Sequence, residues 1–145
     1  MKDKSDFTIY TDGGSRGNPG EAAYGFVVYN SDGKLLFEEG KTIGINTNNV
    51  AEYSAVIAAL KWVEENSKTN PPAGGPNIHF CLDSQLVVMQ LSGVWKVKNE
   101  NLRGLFYTIK QLEQKVGGKI SYQHVRREQN QEADRMVNLA LDGLV

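Results

Sequence analysis

Apolar residues change their spacing partway along this chain. Residues 7–12, 22–30 ("AAYGFVVYN") and 34–42 ("KLLFEEGKT") are short apolar runs, rich in β-branched and aromatic residues and divided by turns, which predicts three strands. "NSDGK" between the second and third contains Asp-Gly, a hairpin signal, so the three read as an antiparallel meander. From Asn49 to about Glu65 the period becomes helical, with Tyr53, Val56, Ile57, Leu60 and Val63 on one stripe. "SKTNPPAGGP" breaks that helix into a loop. Beyond it the pattern predicts a strand at "NIHFCLD", a short helix over Ser84 to Gln90 and an irregular stretch at "SGVWKVKN". A helix over residues 99–116, a strand at "KISYQHV" and a last helix from Asn130 to Leu141 complete the reading. Strands alternating with helices imply parallel, right-handed crossovers. The expected fold is α/β: a mixed five-stranded sheet, antiparallel at the front and parallel at the back, with helices on its faces.

Composition narrows the class without naming a chemistry. A chain of 145 residues is expected to form one domain, residues 1–145, and to bury about two-thirds of its unfolded surface. Its net charge of −1 advertises no global attraction to nucleic acid or anionic membrane, although clustered acids can mask a local basic groove. Cys81 is the sole cysteine, which rules out an internal disulfide and reads as a buried thiol in a reducing compartment. "MKDKSDF" lacks the apolar core of a signal peptide, and no stretch approaches membrane-spanning length. A cytoplasmic monomer without membrane contact is the expectation.

Four acids stand at informative places. Each has a plain local explanation. Asp12 can open a turn into Gly13 and Gly14; Glu52 can close a capping box with Asn49; Asp83 can cap the short helix; and Asp134 suits the first turns of the last helix. Together those explanations weaken. Glu52 shares its stripe with Val56, Ala59, Leu60 and Val63, the face meant for the sheet, and Asp134 lies three and seven residues before Val137 and Leu141. Asp12 and Asp83 end strands that the topology makes parallel, and ligands gather at the carboxyl ends of such strands. Carboxylates about 4 Å apart repel by roughly 4 kcal/mol at an effective dielectric near 20, so a cluster needs cations or raised pKa values. With no Cys or His set at zinc spacing, the hard oxygen donors favour Mg²⁺, with Mn²⁺ as the other choice. Pairs of such ions are the usual machinery of phosphodiester hydrolysis. On this reading Asp12 is a metal ligand, and the glycines after it let a substrate backbone come close.

"YTDGGSRGNPGEAAYGFVV", "NTNNVAEYSAVIAAL", "LDSQLVV" and "REQNQEADRMVNLAL" resemble the successive motifs of the ribonuclease HI family, in order, over roughly residues 7–141. The resemblance implies cleavage of the RNA strand of an RNA/DNA hybrid, leaving 5′-phosphate and 3′-hydroxyl ends. It also implies a metal set of Asp12, Glu52, Asp83 and Asp134, with Asp12 bridging two ions and Glu52 near the ribose 2′-hydroxyl. Asn18, Asn49 and Gln85 match family positions that face the minor groove, and Thr47 and Asn48 lie near a helix N-terminus, a natural phosphate site.

The chain departs from the family in two places. Many bacterial members carry a basic helical handle, for which "QLSGVWKVKNENLRGLF" is too short; Lys96, Lys98 and Arg103 form a reduced basic surface. Trp95 there reads either as a flat face for the DNA sugar or as core packing. Where relatives have a proton-handling histidine, the short "VRREQN" favours Arg127 beside the scissile phosphate, while His124 alternates with Ile120 and Tyr122 as a packed strand residue would. His79 reads as structural. Two other functions compete. An aspartate-based phosphatase needs a second Asp two residues after the first, where Gly14 stands, or a Lys partner at the opposite rim, and no such pair appears. A non-cleaving hybrid-binding module has no need of all four acids.

Overall fold

The computed structural model describes residues 5–67 and 73–145. β1 (Phe7–Gly17) and β2 (Gly20–Asn30) form a long hairpin, and β3 (Leu35–Asn46) returns antiparallel beside β2. The β2–β3 turn is closed by Asn30, whose Oδ1 accepts from the backbone N–H groups of Asp32 and Lys34 at 2.9 Å, with Gly33 at positive φ. α1 (Asn48–Asn66) leads across to β4 (Ile78–Leu82), which pairs parallel with β1. α2 (Gln85–Leu91) and α3 (Glu100–Val116) then lead to β5 (Ile120–His124), parallel to β4. A 3₁₀ turn at Arg127–Gln129 precedes α4 (Gln131–Leu141). The strand order is β3-β2-β1-β4-β5, the mixed sheet read from the sequence.

Helices cover both faces of this sheet. α1 lies between β1 and β2 on one side and α3 on the other, so it is apolar around much of its circumference. Tyr53, Val56, Leu60 and Val63 are fully buried there with Ile9, Phe26, Val28 and Phe80. Each such side chain contributes about 1.5–3 kcal/mol through burial, an upper range for a real unfolded chain. α4 covers the opposite face, with Val137 and Ala140 against Ala23. It can lie this close because Gly25 and Gly40, paired across β2 and β3, leave room: a Cβ on Gly40 would stand 2.2 Å from the Met136 carbonyl oxygen.

Several local expectations change. β1 does not stop at Asp12. Only its parallel pairing with β4 ends there, while its antiparallel pairing with β2 continues to Gly17. Gly13 and Gly14 are therefore strand residues, not a loop. α1 begins at Asn48 with Thr47 as its cap, so no Asn49–Glu52 capping box forms. Ser84, not Asp83, caps α2. The loop expected over "SKTNPPAGGP" falls, for residues 68–72, outside the described residues.

Candidate active site

Thr11 pairs with Leu82 in the last parallel register of β1 and β4, so Asp12 and Asp83 are the next residues on each strand. α1 passes just above β1 and brings Glu52 to the same point. A Cβ on Gly13 would lie 2.2 Å from the Ala51 carbonyl carbon, so glycine is what allows this approach of helix to strand. The Gly13 N–H donates to Glu52 Oε1 at 3.1 Å, while Glu52 Oε2 is buried without a partner. One carboxylate oxygen from each of Asp12, Glu52 and Asp83 lies within 4.8 Å of the other two. Asp134, half-buried on α4, stands close enough to hydrogen-bond with Asp12. All four acids line one open cavity of about 610 Å³, together with Gly13, Asn48, Asn49 and Arg127.

The electrostatics follow from this crowding. Burial, then the charge of Asp83, pushes Asp12 up to about 7, partly offset by its hydrogen bond with Glu52. Burial, then Asp12, raises Glu52 well above its ordinary value. Burial raises Asp83 as well, opposed first by the Arg127 guanidinium. An unpartnered buried carboxylate oxygen and three raised acids are what a cation would relieve, and an all-oxygen donor set suits a hard divalent ion. The residues present fit such a metal.

The smaller residues have definite places. Asn18 Oδ1 accepts from the Asn48 N–H at 3.1 Å, and Asn48 Oδ1 accepts from the Ser15 N–H at 2.8 Å, which ties the β1–β2 hairpin to the start of α1. Asn18, Thr47 and Asn49 also line a second cavity of about 370 Å³, next to the first. Gln85 is exposed at the start of α2. Trp95 is 44% exposed, which removes the core-packing reading. Arg127 lines the acidic cavity and His124 does not. His124 is exposed, its Nε2 3.2 Å from the Asp83 carbonyl oxygen, so it is no packed strand residue. His79 is held by Ser121 Oγ and Gln123 Oε1, each at 2.7 Å, as a structural residue would be.

Sequence reasoning missed Asn130. An asparagine before a helix reads as a cap, yet its side chain makes no cap bond. It turns inward, is 1% exposed, donates to the Thr11 carbonyl oxygen at 2.8 Å and hydrogen-bonds Asp83. It thereby fastens three of the elements that carry the acids. Asn99 and Asn101 were missed too: they bring the start of α3 to the second cavity, so two helix N-termini meet there.

A 3-2-1-4-5 mixed sheet with acids from β1, α1, the end of β4 and α4 in one cavity defines a protein of the ribonuclease H fold class. Residues 10–140 match the family described as reverse transcriptase-like. LC11-RNase H1, solved in complex with an RNA/DNA hybrid, is 38% identical, with 94% of this chain and 97% of that chain covered and a TM-score of 0.88. RNase H1 from Halobacterium salinarum is 41% identical over 94% of this chain and 98% of that chain, with a TM-score of 0.84. The bifunctional protein Rv2228c of Mycobacterium tuberculosis is 43% identical over 92% of this chain, which spans 35% of that protein's length. The chain thus spans about a third of the first curated relatives it matches. It belongs to the type 1 ribonuclease H family, in a form where residues 92–99, between α2 and α3, contain no helix.

Proposed function

We propose that this chain is an endoribonuclease that hydrolyses the RNA strand of an RNA/DNA hybrid, giving 5′-phosphate and 3′-hydroxyl ends. The observation that carries it is the convergence of Asp12, Glu52 and Asp83, with Glu52 Oε2 buried and met by no N–H or hydroxyl donor. Asp12, Glu52, Asp83 and Asp134 would hold two divalent ions, Mg²⁺ or Mn²⁺, which supply Lewis acidity toward the attacking water and the leaving oxygen. Asp12 interacts with Glu52, Asp83 and Asp134 alike, which supports it as the shared ligand.

The chain's own groups then position the substrate. Gly13 is packed under α1 and its N–H holds the Glu52 carboxylate at the cavity wall, which supports a role for Glu52 in recognising the ribose 2′-hydroxyl. Arg127, beside Asp83, steadies the charge of the scissile phosphate but cannot exchange protons near neutral pH. In the second cavity, rimmed by Asn18, Thr47, Asn49, Asn99 and Asn101, two helix N-termini favour a backbone phosphate. Asn48 braces this edge, Gln85 offers an amide to a base edge, and exposed Trp95 a flat face to a sugar.

The test is cleavage of labelled RNA/DNA hybrid, duplex RNA, duplex DNA and a phosphomonoester, each with Mg²⁺, Mn²⁺ or chelator. The expected result is scission of the RNA strand of the hybrid, abolished by chelator. Turnover of the phosphomonoester alone would replace this reading with a phosphatase, and hybrid binding without scission in either metal with a binding module.

A further inference from the structure

Two cations line the acidic cavity, and they are placed differently. Arg127 stands near enough to Asp83 for its charge to oppose the repulsion of the cluster. Arg16, near the end of β1, instead reaches to Asp142 beyond the last turn of α4, Nη2 to Oδ1 at 2.7 Å. Asp142 is not part of the cavity wall. Withdrawing Arg127 would leave a crowded carboxylate with less compensation. Withdrawing Arg16 would leave only Asp142, a carboxylate that water can solvate.

Both partners of the Arg16 pair are about half exposed (49% and 48% of the side chain), and ion pairs at such exposure add little to stability. The pair can therefore be exchanged for a stronger partner at small cost. A guanidinium is built to take a phosphodiester through two parallel N–H donors. Asp142 also stands at the C-terminal end of α4, where the helix dipole disfavours negative charge, so it keeps a standing claim on Arg16.

We propose that Arg16 grips a backbone phosphate of the nucleic-acid strand entering the acidic cavity, and that Asp142 competes for it as a built-in counterweight. This rests on the hybrid-cleaving reading above. The pairing makes the two residues act with opposite signs: losing Arg16 weakens substrate binding, whereas neutralising Asp142 strengthens it through Arg16.

The test is hybrid binding by fluorescence anisotropy across a salt series, in the full chain carrying Asp12→Asn so that no cleavage intrudes. Arg16→Gln is expected to weaken binding by roughly 3–10-fold and to lower the log–log salt slope by about one. Asp142→Asn is expected to tighten binding about 2–3-fold, and that gain is expected to vanish when Arg16→Gln is also present. Unchanged affinity in Arg16→Gln overturns the proposal. So does a gain from Asp142→Asn that persists without Arg16, because it would then be general charge repulsion. Equal weakening in both single variants overturns it as well, leaving a brace for the end of α4. Thermal unfolding of each variant confirms folding, and if Arg16→Gln does not fold, Arg16→Ala takes its place in the cycle. Absence of any hybrid binding by the Asp12→Asn chain, with cleavage also absent in the parent, overturns the function itself.

Discussion

On the side of α1 away from the acids, the Tyr53 hydroxyl donates to Gln90 Oε1 at 2.6 Å, deep in the core. Nearby, Tyr122 donates to Glu113 Oε2 at 2.5 Å, and Lys110 Nζ donates to Glu113 and to the Leu91 carbonyl oxygen. Every charge in that network faces an opposite charge or a dipole. One residue before Tyr53 on the same helix, Glu52 ends with a buried oxygen that no N–H or hydroxyl donor meets, only neighbouring acids that raise one another. Burial of polar groups costs free energy unless partners compensate it. The core network is complete within the protein, while the acid cluster is complete only with something added. That incompleteness, more than acidity itself, marks the site.

The largest effect should come from removing charge at each place. Asp12→Asn should lower cleavage of the hybrid by at least about 10²–10³-fold, the scale of losing one principal electrostatic contact in a reaction centre. It should at the same time stabilise the metal-free protein at pH 8, because an isosteric amide ends the repulsion from Asp83. A gain of about 1–2 kcal/mol would raise Tm by roughly 2–8 °C. Glu113→Gln should do the reverse: little change in kcat, and a loss of about 1–3 kcal/mol from a charged hydrogen bond. Parallel unfolding and cleavage assays decide it. If Asp12→Asn proves less stable than the parent without metal, the contrast between the two regions is wrong.

Two adjacent glycines sharpen the same contrast through backbone packing. Gly13→Ala drives a methyl group into the backbone of Ala51 and Glu52, where a flexible side chain cannot give way. Overpacking of this kind costs typically 1–3 kcal/mol, and here it also displaces Glu52. Gly14→Ala meets only Val137 Cγ1 at 3.5 Å, an ordinary contact, so its stability should match the parent's. Equal unfolding midpoints for both variants would show that α1 is not fixed by that approach.

The sequence made some of this legible and hid the rest for physical reasons. Hydrophobic periodicity located each strand and α-helix, although β1 and β3 run four or five residues past their expected ends and the 3₁₀ turn at Arg127–Gln129 carried no signal. The four acids were readable because each sits on the wrong side of its own pattern: Glu52 on the buried stripe, Asp12 and Asp83 at the ends of apolar runs. Local chemistry misled where long-range pairing decides. β1 continues through Gly13 and Gly14 because β2 is there to pair with it, which no local signal announces. Asn130 has the residue type of a cap, and only the fold shows that Thr11 and Asp83 claim its side chain. The second cavity needs the starts of α1 and α3 side by side, although they are about fifty residues apart in sequence.

A further effect follows from pH and metal. Asp12 has its pKa raised from 3.8 to about 7, so between roughly pH 4 and 7 the folded chain holds a proton that the unfolded chain has released. More protons bound in the folded state means that stability falls as pH rises through that window, and the full penalty stands above it. The metal-free protein should therefore unfold at a lower temperature at pH 8 than at pH 5, and Asp12→Asn should flatten the difference. Added Mg²⁺ should restore stability at pH 8 by mass action, about 2.7 kcal/mol at a hundredfold excess over Kd, and should do far less in Asp12→Asn. Chelator followed by Mg²⁺ in a thermal scan reads this without any substrate. A pH-independent midpoint in the metal-free parent would mean that the acids do not strain the fold.

The core network supplies the smallest and most discriminating effect. Gln90→Leu leaves the Tyr53 hydroxyl buried without an acceptor, and a group stranded that way costs about 1–3 kcal/mol. Tyr53→Phe alone leaves the Gln90 amide in the same position. Making both changes removes both polar groups together, so the double variant should lose clearly less than the sum of the singles, with a coupling of about 0.5–3 kcal/mol. Cleavage should stay near the parental level in all three once folding is assured, because neither side chain reaches the acidic cavity. The same operation on the acids, Asp12→Asn with Asp83→Asn, should behave oppositely. Both changes relieve repulsion, the new amide at position 83 can still accept from Asn130, and Arg127 loses only one counter-charge in an open cavity, so the metal-free protein gains stability while cleavage is lost. If the Tyr53–Gln90 cycle is additive, those two residues do not form the self-sufficient pair that their 2.6 Å contact indicates, and being partnered would no longer separate the structural region from the reactive one.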